Sequence, residues 1–101
     1  MAKTSSIEKN KKRLELSTQA AAKRTKLKAI IKDQSIPIDQ RFAATLKLAE
    51  MPRNSAKVRV RNRCEVSGRP RGYYRKLKMS RIALRQLGNL GLIPGLVKSS
   101  W

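Results

Sequence analysis

Arginine carries most of the chemistry that this sequence could perform. Arg53, Arg59, Arg61, Arg63, Arg69, Arg71, Arg75, Arg81 and Arg85 fall in one stretch whose only acid is Glu65, and Lys76 joins them. A guanidinium presents a planar fork of donors that matches phosphate oxygens in pairs, whereas an ammonium acts as a mobile point charge. Arg81 and Arg85, one helical turn apart, share a face if they are helical. Tyr73 and Tyr74 stand between Arg71 and Arg75, where an aromatic ring can stack on an unpaired base for about 1–3 kcal/mol. In a strand the two rings point opposite ways, so one is expected to fill the small core and the other to face out.

Catalysis has little to draw on. The chain has no histidine, so a histidine base or triad is excluded, and its six acids are scattered. No phosphate-cradling glycine loop is present. Cys64 is the single cysteine, with no identifiable partner base, and reads as a buried or incidental thiol. The chain is expected not to be an enzyme, and to take no cofactor and no small-molecule substrate.

Charge names the partner. Lys and Arg number 25 against 6 Asp and Glu in 101 residues, a formal net charge of +19. Solubility of a small domain asks for a magnitude of only about 2–8. Such an excess repels itself in a compact body, and a polyanion relieves it. Aromatic residues make up 4% of the chain and much of its apolar content is alanine, so parts of it are expected to be ordered by that partner. No segment approaches a membrane span and the start is not a secretory signal, so a cytosolic protein is expected.

The elements that must position these residues divide at Pro52. Ser5 and Glu8 have capping-box spacing, which predicts a long helix from near Ser6. Its apolar residues hold no single clean stripe, and its lysines surround most of the circumference. Pro37 breaks it, Asp39 looks like an N-cap, and a second helix is expected over Gln40–Met51. Phe42, Leu46 and Ala49 form its apolar face, extended by Leu48 and Met51, to pack on the first helix or on a protein neighbour. Beyond Arg53, the alternation Lys57-Val58-Arg59-Val60-Arg61 predicts a strand or an extended arm. Gly68-Arg-Pro-Arg-Gly72 is expected to join short hairpin strands. Ser80 caps a third helix to about Leu87, closed by Gly88. Trp101 is expected to anchor the end. The domains are thus a helical extension, 1–52, and an Arg-rich module, 53–101.

Arg63-Cys64, Leu77-Lys78-Met79-Ser80-Arg81 and Arg85, with the intervening Gly68–Lys76 and the Ile-Pro-Gly-Leu ending, resemble the family of small-subunit ribosomal protein fourteen, from end to end. Many members hold zinc with two Cys-x-x-Cys pairs, which fall here at Cys64, Ser67, Ser80 and Ala83. With one thiol left, the chain looks like the zinc-free branch. The resemblance implies a mainly α fold with irregular extended segments: two N-terminal helices, an Arg-rich arm, and a zinc-ribbon-like hairpin plus short helix lacking the metal. Val66, Leu77, Met79, Ile82 and Ala83 would pack that module. The resemblance further implies binding to ribosomal RNA in the head of the small subunit, a part in assembly and in RNA conformation at the aminoacyl-tRNA site, and proteins three and ten as neighbours. The setting is a cytoplasmic ribosome, or else an organellar one. Its helices would fill clefts between RNA helices while the hairpin clamps a junction. A DNA-compacting protein would share the charge but bind duplex DNA equally well. A membrane-active peptide would need the apolar face that the first helix lacks.

Overall fold

The computed structural model describes residues 2–99, which form three α-helices, one two-stranded hairpin and irregular connections. The chain divides into two compact units, one of residues 9–60 and one joining residues 2–8 to residues 61–99. Its interior is built from small side chains. Among the described residues the buried apolar ones are Ala44, Cys64 and Ala83, and the largest fully buried side chain is Ser80.

Helix α1 spans Thr4–Lys32, a run without glycine or proline. It starts ahead of the capping box, because the N–H groups of Ser6 and Ile7 both bond the Lys3 carbonyl at 3.0 and 3.3 Å. Ser5 therefore lies inside the helix and does not cap it. Between residues 9 and 32 the turned-in positions are Asn10, Arg13, Leu16, Ser17, Ala20, Arg24, Leu27, Ile30 and Ile31, a three-four spacing widened at Leu16 and Ile30. Five of these nine positions, Asn10, Arg13, Ser17, Ala20 and Arg24, are polar or small, which is why apolar residues alone do not reveal the stripe. The Ser17 hydroxyl, which is buried, donates to the Leu14 carbonyl at 2.9 Å and so enters the seam satisfied.

The helix stops at Lys32, where the Asp33 carboxylate accepts from the Ser35 N–H at 3.0 Å and the Ser35 hydroxyl at 2.7 Å. Helix α2 follows Pro37 over Ile38–Glu50, with Asp39 in its first turn rather than at the cap. A carboxylate there still opposes the positive helix end. Arg41, Ala44, Leu48 and Met51 turn inward. Arg41 Nε donates to the Ile31 carbonyl at 3.1 Å, satisfying an acceptor left over at the end of α1. The expected face does not pack on α1: Phe42 and Leu46 are 62% and 50% exposed, and Ala49 is exposed as well. Arg41 and small Ala44 set the inward side instead.

No strand follows. Residues Arg53–Ser55 and Lys57–Arg59 form two 3-10 turns, and Val58 is 93% exposed. A period of two makes a strand only where a partner edge receives it. Here the Arg59 and Val60 N–H groups bond locally to the Ala56 and Lys57 carbonyls, each at 3.1 Å. Buried Ser55 accepts from Arg24 Nη1 at 3.1 Å and donates to Pro52 O, tying this stretch to α1.

In the other unit, strands β1 (Tyr73–Tyr74) and β2 (Met79–Ser80) pair antiparallel, Tyr73 opposite Ser80 and Tyr74 opposite Met79. Residues 75–78 make the turn, with Lys78 left-handed at φ 52°. Gly68–Gly72 therefore leads into the hairpin and does not connect its strands. Helix α3 (Arg81–Asn89) begins at Ser80, whose side chain accepts from the Ala83 N–H at 3.2 Å. It runs through Gly88 and ends at Gly91, φ 69°, where Gly91 and Leu92 donate to the Gly88 and Leu87 carbonyls at 3.1 and 3.0 Å. That double bond pattern needs a left-handed residue, which glycine adopts without steric cost. The role expected of Trp101 lies outside the described residues.

Candidate nucleic-acid interface

The four positions matched to metal ligands gather on one another. Cys64 and Ala83 are each 3% exposed and Ser80 is 1% exposed. Burial pushes the Cys64 thiol up, but hydrogen bonds from the side chain and backbone of Ser67 and of Ser80 outweigh it and bring its pKa down to about 6. One thiol, two hydroxyls and a methyl do not make the four nitrogen or sulfur ligands of structural zinc. Among the described residues no three His, Cys, Asp or Glu side chains cluster for a metal. The place is a polar knot instead. It also binds the backbone: Cys64 N–H donates to Arg69 O at 3.0 Å, Gly68 N–H to Cys64 O at 2.8 Å, and Glu65 N–H to Lys78 O at 3.1 Å.

A depressed thiol has a testable sign. Its contribution to stability is complete above the ordinary thiol value near 9.0 and is lost as pH falls through about 6. Ultraviolet thiolate absorbance should therefore titrate near 6 in the native chain. Cys64→Ser should remove that rise in stability between the two values, seen by hydrogen exchange across the pH series.

The knot holds the cationic surface in place, and it splits the predicted arginines into two kinds. Arg61 Nη2 donates to Pro70 O at 3.2 Å and Arg63 Nη1 to Gly68 O at 3.0 Å, so both brace the loop after Cys64. Arg63 and Arg69 are half-buried, each with a buried Nε that has no hydrogen-bond partner. Arg71, Arg75, Lys76, Arg81 and Arg85 are exposed. Tyr73 is half-buried while Tyr74 is 51% exposed, so Tyr74 is the ring that faces out. Arg53 (exposed) and Arg59 (half-buried) lie in the unit of residues 9–60. Of the five residues expected to pack the module, Ala83 is buried and Leu77 and Met79 half-buried, but Val66 and Ile82 are 63% and 45% exposed. Small Ser80 and Cys64 occupy the centre that larger side chains would need.

Two open clefts border this surface. Tyr74, Arg81 and Arg85 line one, on the outer side of the hairpin and α3. Arg69, Arg71, Pro70, Ile82 and Gln86 border the other, of about 630 Å³. Sequence reasoning did not single out Gln86, or exposed Lys78 in the hairpin turn. The second could have been found from the four residues between the strands, where a long cation points outward by default. Among the described residues no helix is long and apolar enough to cross a membrane.

Residues 47–100 match the family described as ribosomal protein S14p/S29e. The whole chain is 73% identical to proteins named "Small ribosomal subunit protein uS14" from Brucella ovis and Brucella canis, covering 100% of each. It is 72% identical to the protein of that name from Brucella anthropi, again over 100% of both chains.

Proposed function

From the premise that this chain belongs to the ribosomal protein S14p/S29e family, whose members are structural and not enzymatic parts of the small ribosomal subunit, we propose that it binds ribosomal RNA in the head of that subunit through the cations gathered around its hairpin. It works in translation, in the ribosome of the cytoplasm. The observation that carries the RNA reading is the shared cleft of Tyr74, Arg81 and Arg85: one exposed ring and two exposed guanidinium side chains line the same opening. A ring takes a base and the forks take the flanking phosphates, an arrangement suited to unpaired RNA.

Arg53, Arg59, Arg71, Arg75 and Lys76 add phosphate contacts, while Arg61, Arg63 and Arg69 give the loop its shape and spend their remaining donors on RNA. Tyr73 supports the hairpin from inside. We read residues 53–101 as a zinc ribbon whose metal has been replaced by the Cys64–Ser67–Ser80 knot, and residues 1–52 as an extension that enters clefts between RNA helices. This function includes subunit assembly and the shape of the RNA at the aminoacyl-tRNA site, with proteins three and ten alongside.

Binding to a small-subunit RNA fragment over a salt series tests the reading. With about ten phosphates neutralised, log affinity falls against log salt with a slope near −9. Arg69→Ala with Arg71→Ala should lower occupancy in reconstituted subunits and flatten that slope. Full occupancy with unchanged salt sensitivity, or equal affinity for duplex DNA, would sink the proposal.

A further inference from the structure

We propose that the outer face of α2 is a docking ridge for a protein of the subunit, one that presents an apolar groove rimmed by basic side chains. The inference rests on membership of the small subunit and on none of the RNA contacts proposed above.

Ile38, Phe42 and Leu46 follow one another at four-residue steps and are 77%, 62% and 50% exposed. That spacing makes a single ridge along the helix. It is not the helix's core side turned loose, because Arg41, Ala44, Leu48 and Met51 already supply an inward face. A continuous apolar ridge left in water marks a contact surface.

Charge identifies the occupant. Residues 33–50 hold three of the chain's six acids, Asp33, Asp39 and Glu50, against two bases, Arg41 and Lys47. Arg41 is turned inward and bonded to the Ile31 carbonyl. The ridge therefore sits on a slightly acidic island in a chain of net charge +19. RNA phosphates, or an anionic membrane, would meet repulsion and an apolar surface that gives them no hydrogen bonds. A second copy would bring two strongly cationic chains together, with acids facing acids along the ridge. A groove edged with Lys or Arg fits both the apolar side chains and Asp39 and Glu50. Three side chains make a small contact, but a subunit that already holds both proteins raises their effective concentration enough for it to form.

The full chain carrying a photo-crosslinking phenylalanine analogue at position 42 tests this, with the same analogue at position 46 should the first be kept out of subunits. After incorporation into small subunits and irradiation, the linked peptide is sequenced. The expected product is a ribosomal protein peptide with apolar residues beside Lys or Arg. Leu46→Ser with Ile38→Ser should lower its yield by about tenfold. Glu50→Lys should lower it too, with helix content unchanged, because a cation suits the last turn of α2. Links to ribosomal RNA, links to a second copy, no link at all, or rejection of both analogues by subunits that accept Phe42→Ser would each overturn the proposal. None of these results depends on Arg69, Arg71 or the hairpin, so failure here leaves the RNA reading standing.

Discussion

Replacing Tyr74, Arg81 and Arg85 together with alanine should weaken binding to small-subunit ribosomal RNA by about a hundredfold to a thousandfold. The ring contributes about 1–3 kcal/mol if a base stacks on it. Each solvent-exposed guanidinium–phosphate pair adds about 1 kcal/mol more, and about 1.4 kcal/mol is tenfold in affinity. The same change should reduce the salt slope by about two units, one for each cation removed from phosphate. Titration at several salt concentrations reads both quantities at once. Affinity lost with the slope unchanged would mean that the arginines do not touch phosphate. The substitution leaves the fold standing, because all three residues are exposed. Arg81 does lay its stem over Gly72, with Cγ 3.2 Å from where a Cβ would stand. Shortening that stem costs some packing, so helix content of the variant should be checked beside the wild type.

Gly68→Val should be the most damaging single change in the unit that carries the hairpin. Gly68 is buried at φ 74°, and a Cβ there would stand 2.6 Å from Ile7 Cδ1, 2.9 Å from Ile7 Cγ1 and 3.2 Å from Ala2 Cβ. The left-handed backbone alone costs an L-residue about 1–2 kcal/mol, and forcing a side chain into occupied space adds about 1–3 kcal/mol. The start of α1 would be pushed off the Cys64 loop, breaking the bond of 3.4 Å from the Ala2 N–H to the Ser67 carbonyl. Hydrogen exchange should then quicken at Ile7 and across Cys64–Gly68. Gly91→Ala isolates the backbone share, since its Cβ would meet nothing within 4 Å at a similar φ of 69°. Gly68→Ala should be milder in an Ile7→Ala chain than in the wild type. Equal damage in both would show that contact with Ile7 is not the cause.

Several features were legible without coordinates because local chemistry decides them. Pro37 and Pro52 bound α2 since proline gives up a donor and rejects the helical turn before it. Ser80 caps α3 since a hydroxyl just before a helix can accept from its free N–H groups. The alternation of strand side chains required one tyrosine inside and one outside, though only the structure says that Tyr74 is the outer one. The excess of cations pointed to a polyanion whatever the fold.

Tertiary structure decided the remainder, wherever a side chain's role depends on what lies far along the chain. The seam of α1 mixes Ser17, Ala20 and Arg24 with Leu27 and Ile31, because hydrogen bonds to Leu14 and Ser55 make polar residues fit to be buried. Lys57–Arg61 alternates like a strand but finds no edge to pair with, so its backbone turns on itself. Phe42 and Leu46 face out because Arg41, reaching the end of α1, fixes which side of α2 looks inward. Of the arginines, Arg61 and Arg63 became braces because a carbonyl of the loop after Cys64 lay within reach, while Arg71, Arg75, Arg81 and Arg85 stayed exposed. Composition specifies the partner's charge, but distance between residues remote in sequence specifies which side chains remain to meet it.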